Sequence, residues 1–126
     1  MKLLLTIAAL SLMQACTRKT ETLNSVSVPV QQCTSIGNGN RICFDSVITD
    51  SRCPANANCV WQGYAAAQFT LRTAQGNYPF ALATTEHPSI DYSQDTVISG
   101  IRIRFANLLP YPGTGPEPVR AVLDVQ

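Results

Sequence analysis

Four cysteines fall in two short, turn-rich loops, and each loop sits between stretches of alternating apolar and polar residues. No other feature restricts the folding of this chain as much. The second loop lies in Asp50-Ser51-Arg52-Cys53-Pro54-Ala55-Asn56-Ala57-Asn58-Cys59-Val60-Trp61-Gln62-Gly63, where five residues separate Cys53 from Cys59. Pro54 fixes φ, and Asn56 and Asn58 tolerate left-handed geometry. Such a loop brings the two thiols within reach and predicts a disulfide. Half of a zinc site is the other reading of the spacing, and the exported context argued below stands against it. After Cys59, the residues Trp61, Ala65, Ala67, Phe69 and Leu71 fall on one face, with Gln62, Gln68, Thr70 and Arg72 on the other. Period two of this kind predicts a half-buried strand. Cys59 shares the Trp61 face. The bridge is therefore expected to pack beside the indole, with Trp61, the chain's single tryptophan, as a buried anchor of the core; the rival reading places Trp61 at a pocket mouth, stacked on a ligand.

The first loop runs from Cys33 to Cys43 through Gly37-Asn38-Gly39-Asn40, residues that accept positive φ at a hairpin tip. Four cysteines permit three connectivities. Because both loops are short, local pairing is expected: Cys33–Cys43 and Cys53–Cys59. Each bridge would stabilise the fold by roughly 2–3 kcal/mol on a chain-entropy estimate. Such bridges persist in an oxidising compartment.

The fifth cysteine, Cys16, ends a different kind of segment. Lys2 supplies a positive start, Leu3 to Met13 form an apolar run, and Leu12-Met13-Gln14-Ala15-Cys16 resembles a relaxed lipobox. The run is too short to span a bilayer, so residues 1–15 read as a removed signal peptide. The alternative is an ordinary secretory signal with Cys16 incidental. Lipidation of Cys16 is preferred, because it also accounts for the odd thiol. Each buried methylene of the acyl chains contributes about 0.8 kcal/mol, enough for two or three chains to hold the protein on the membrane. Residues 16–24 are polar and read as a tether, and residues 25–126 as the folded domain. Thr17 after the cysteine favours the outer membrane, facing the periplasm.

Two motifs carry a resemblance. Asp-Ser-Arg-Cys-Pro followed by Cys-Val-Trp-Gln-Gly, and the later run Ile101 to Pro112 ending in Pro-Tyr-Pro, resemble the signatures of a family of uncharacterised small bacterial lipoproteins. The closing Val119 to Val125 resembles its last strand. The resemblance covers Ile42 to the C-terminus and leaves out Cys33 and Cys43. It implies an envelope location and a β fold, and it brings no assigned activity.

The rest of the chain alternates as well. Val26, Val28 and Val30 predict a first strand, and Pro29 assigns it to a sheet edge or ends it in a bulge. Ile42, Phe44, Ser46 and Ile48 predict a second face, and Tyr78, Phe80 and Leu82 a short strand. Thr84 to Asp95 reads as a surface loop. Thr96 to Asn107 predicts one long strand with Val97, Ile101, Ile103 and Phe105 on one face and Arg102 and Arg104 on the other. Val119, Ala121, Leu123 and Val125 predict the last. No helical period occurs outside the signal. The fold class is all-β, a single disulfide-stapled β-sandwich of six to eight strands, with a small closed β-barrel as the alternative.

Composition narrows the chemistry. Loss of Lys2 with the signal leaves eight basic and eight acidic residues, so no field draws in nucleic acid. One histidine, His87, and oxidised thiols make a poor ligand set; no metal and no cofactor are expected. No Gly-x-Ser-x-Gly elbow supports a hydrolase triad. Candidate binding residues are Arg52 in the cysteine loop, suited to a carboxylate or phosphate; Arg102 and Arg104 (with Arg72 and Arg120), a basic stripe if their strands are neighbours, though a solvated sheet face is the preferred reading; and Tyr111, either presented on a stiff Pro-Tyr-Pro loop or folded back over a sheet edge. For Arg52 a pair with Asp50 or a cap on loop carbonyls is the preferred reading. The expectation is an envelope protein with a binding or structural role, its partners the membrane through Cys16 and an envelope protein or anionic ligand. A periplasmic hydrolase or enzyme inhibitor is the alternative.

Overall fold

A computed structural model describes residues 24–126. The expected signal, Cys16 and nearly all of the tether lie outside that span. Eight strands follow in order: β1 (Asn24–Pro29), β2 (Gln32–Gly37), β3 (Asn40–Asp50), β4 (Ala65–Thr73), β5 (Gly76–Ala83), β6 (Asp95–Ile98), β7 (Ile101–Leu109) and β8 (Arg120–Val125). They form two four-stranded antiparallel sheets, β1-β8-β7-β6 and β2-β3-β4-β5. The molecule is a β-sandwich. At its seams β1 lies beside β2 and β5 beside β6 with no ladder between them, so no barrel closes.

The core follows from the alternation. Phe44, Phe69 and Phe80 stand in one row across the second sheet, where Phe44 pairs with Phe69 and Phe69 with Phe80. Phe105 of the first sheet meets Phe69 edge-on at 5.2 Å between ring centroids. All four phenylalanines of the chain thus form one cluster. Ile42, Leu71, Leu82, Ile103, Ala121 and Leu123 complete the buried layer. Pro29 lies on β1, an edge strand, where its missing N–H costs no ladder bond.

Both disulfides are present. Cys33 and Cys43 face each other across the β2–β3 hairpin, and Cys53 joins Cys59. Gly37, Asn38 and Gly39 all take positive φ at the hairpin tip.

Three expectations from alternation are corrected. The segment expected as one long strand from Thr96 is a hairpin: Ser99 and Gly100 both adopt positive φ and join β6 to β7 through a two-residue turn. Val97 therefore pairs with Arg102 on the outer face and is exposed rather than in the core. In β3 the register shifts after Phe44 and again after Val47. Each bulge inserts an extra residue and re-aims those that follow, so Ser46 and Ile48 do not continue the buried face of Ile42 and Phe44. Finally, the strand expected from Trp61 starts only at Ala65.

Candidate functional site

The loops after β3, β5 and β7 gather at one pole of the sandwich, and Arg52 joins two of them. Arg52 as a whole residue is 8 % exposed. Nε donates to Asp50 Oδ1 at 2.8 Å, and Nη2 donates to Asp50 Oδ2 at 2.9 Å and to the Pro110 carbonyl at 3.3 Å. Nη1 donates to the Leu108 carbonyl at 2.6 Å and to Asn107 Oδ1 at 3.3 Å. All five N–H groups of a guanidinium thus have acceptors. Tyr111 covers the group, its ring centroid 4.9 Å from Cζ, a cation–π contact. Burial on its own would raise the Asp50 carboxyl, but the Arg52 hydrogen bonds and charge outweigh it and hold Asp50 below the usual carboxylate range.

The Asp50 pair and carbonyl cap preferred for Arg52 are both present, and the ligand-binding role considered for it is corrected. Arg52 has no donor left for a ligand; it ties the loop after β3 to the end of β7. Tyr111 is half-buried against Arg52 rather than presented alone on a stiff loop. The two motifs that carry the family resemblance, far apart in the chain, meet here. Ala55 N–H also donates to the Pro112 carbonyl at 2.9 Å.

Gly63 explains why the strand pattern fails at Trp61. Its φ is +67°, and a Cβ there would stand 1.9 Å from the Ser51 carbonyl oxygen. The chain turns tightly against itself at Gly63, held by the Ser51 N–H to Tyr64 carbonyl and Cys53 N–H to Gln62 carbonyl bonds. Residues 59–63 are thereby lifted out of the sheet. Trp61 is 45 % exposed and Val60 fully exposed, so the expected burial of Trp61 in the core is corrected. The indole instead meets the His87 ring at 4.7 Å, edge to face.

His87 sits in the loop between β5 and β6. Its Nδ1 accepts the Ser89 backbone N–H at 3.2 Å and lies 2.7 Å from Ser89 Oγ. The backbone donor leaves Nδ1 without a proton, so Nε2 carries it in the neutral ring. Among the described residues no carboxylate is hydrogen-bonded to this imidazole. Beside it a shallow cleft of about 400 Å³ is lined by Glu86, His87, Asp91, Tyr92 and Ser93 among others. Among the described residues no group of three or more His, Cys, Asp or Glu side chains is placed to hold a metal ion.

The basic stripe does not form. Arg102 pairs with Asp95 at 3.0 Å, Arg104 with Asp124 at 3.4 Å and Arg120 with Glu117 at 3.9 Å, all on or beside the first sheet. Arg72 is on β4 of the other sheet. Outward-facing arginines were legible in the sequence, but which strands are neighbours and which acids pair with them depend on sheet order and register.

What the sequence reading missed is the exposure of Val60 beside Trp61 and the contact of the indole with His87. Gly63 was the available signal, since an isolated glycine in an alternating run marks a break or a close backbone approach. Comparison of the chain with protein-family models, curated proteins and solved structures finds no match.

Proposed function

We propose that the chain is a lipid-anchored protein of the bacterial envelope, held at Cys16 and facing the periplasm, whose β-sandwich is a binding module. The Val60–Trp61 loop is its recognition face, and an envelope protein is the partner. The observation that carries this reading is the placement of those two side chains in water on a segment braced by the Cys53–Cys59 bridge, the Arg52 network and the Gly63 turn. A rigid exposed aromatic loses little freedom on binding, which is why such residues serve as interface anchors.

The topology supports the orientation. β3 runs ten steps from Asn40 to the loop pole at Asp50, roughly 30 Å at about 3.3 Å per residue. Asn24, where the tether would enter, shares a small end cavity with Gly37, Asn38 and Asn40 at the other pole. An anchor at Cys16 would thus direct Trp61 away from the membrane. The resemblance to small bacterial lipoproteins and the two disulfides agree with an exported chain.

A photo-crosslinking residue at position 60, activated in intact envelopes, tests the binding face. The expected result is one discrete adduct that disappears when Trp61→Ala is added to a chain that still melts normally. An adduct insensitive to Trp61→Ala, or none, would refute it. The anchor is tested separately, by palmitate labelling that Cys16→Ser abolishes.

A further inference from the structure

At the opposite pole the register aligns four side chains across the second sheet. Ser35 of β2 pairs with Arg41 of β3, Arg41 with Arg72 of β4, and Arg72 with Asn77 of β5. Residues directly opposite share a face, with Cβ atoms about 5 Å apart. Their chain neighbours Ile42 and Leu71 are fully buried in the core, so this row points outward, and all four side chains are exposed.

Two guanidinium groups side by side repel, and like charges directly opposite destabilise a sheet. Arg52, Arg102, Arg104 and Arg120 each have a carboxylate within 4.0 Å; among the described residues neither Arg41 nor Arg72 does. The nearest acid along β3, Asp45, bonds Thr70 at 2.7 Å instead. An anion between the arginines turns the repulsion into charge-assisted hydrogen bonds. A carboxylate satisfies a single planar fork. A tetrahedral oxyanion has oxygens for both forks, with the Ser35 hydroxyl and the Asn77 amide as flanking donors.

We propose that the Ser35–Arg41–Arg72–Asn77 row is a binding site for a phosphate group. Its place favours one source. The row adjoins the turns at residues 37–40 and 73–76, the pole at which Asn24 lies. Seven residues separate Cys16 from Asn24, eight steps of chain with a reach of at most about 28 Å. On the lipid-anchor reading, on which this source alone rests, the site lies within reach of phospholipid headgroups.

The test uses the full chain in neutral detergent and follows the arginine Nε–H resonances by NMR. Inorganic phosphate, short-chain phosphatidylglycerol and sodium chloride are titrated at matched ionic strength. Arg41 and Arg72 are expected to shift together and saturably with phosphate or the lipid and not with chloride. Arg41→Gln and Arg72→Gln each abolish the response while melting no lower than wild type. Tighter saturation by the lipid supports the headgroup source; saturation by inorganic phosphate alone supports the site with a soluble phosphate as its ligand. Shifts that never saturate, or that chloride reproduces, overturn the site. The readout needs no acyl chain on Cys16, so failed palmitate labelling would remove the anchor and leave this result standing.

Discussion

Replacing Arg52 by Gln removes the positive charge that Asp50 faces and takes donors from the carbonyls of Leu108 and Pro110 and from Asn107. The Arg52 side chain is only 5 % exposed and that of Asp50 30 %, so water replaces the lost partners poorly. Breaking such a pair from one side costs about 3–5 kcal/mol, against about 5–15 kcal/mol for a whole domain. For a domain of this size each kcal/mol lowers Tm by about 4–8 °C. Thermal unfolding followed by circular dichroism should therefore place Arg52→Gln roughly 12–40 °C below wild type. Arg52→Lys should fall between the two. An ammonium restores the charge opposite Asp50, but it lacks the planar fork that reaches both the carboxylate and the β7 carbonyls. Melting of both variants within about 3 °C of wild type would show that the network contributes nothing and that Arg52 is held there by the surrounding loops.

Trp61→Ala should change stability by less than about 1 kcal/mol, as a substitution outside the core does. Wild-type Trp61 fluorescence should emit at long wavelength and be quenched by iodide; a blue-shifted, protected emission would contradict the exposed indole. Gly63→Ala should destabilise by about 2 kcal/mol or more, because positive φ and the Ser51 carbonyl both oppose a Cβ, and urea unfolding measures it. The pH dependence follows from Asp50. Its folded-state value is depressed, so the stability it contributes is complete above the unfolded value of about 3.9 and is lost as pH falls through the folded value. Asp50→Asn should flatten that acid limb of a stability–pH curve, and an unchanged limb would count against the pairing.

Much of the fold was legible because burial imposes period two wherever a strand is straight. β4 and β8 show it plainly: Ala65, Ala67, Phe69 and Leu71 are buried, as are Ala121, Leu123 and Val125. The pairing of the cysteines was legible for a related reason, since short loops leave little choice. The pattern fails where the backbone leaves the regular pleat. Ser99-Gly100 splits a run of apolar and charged residues into a hairpin, the bulges of β3 shift its later half, and Gly63 lifts Trp61 into water. Gly63 and the Ser99-Gly100 pair are turn signals in the letters, but the bulges of β3 leave no mark in the alternation of residue types. The role of Arg52 was half legible. Asp50 two residues before it suggested a pair, but the carbonyls of Leu108 and Pro110 arrive from more than fifty residues away, through a sheet order the letters do not contain.

The ladder between β1 and β8 brings Asn24 opposite Val125, a Cα separation of about 5 Å for antiparallel partners. A linker of a few residues would therefore close the described span into a ring, and the ring could be reopened in the exposed loop between β5 and β6. In that permuted order the β1–β8 ladder, which closes a loop of about a hundred residues in the natural order, becomes a local hairpin. The core rows would be untouched, yet the mean sequence separation of contacts would fall, and the permuted chain should fold faster than the natural one.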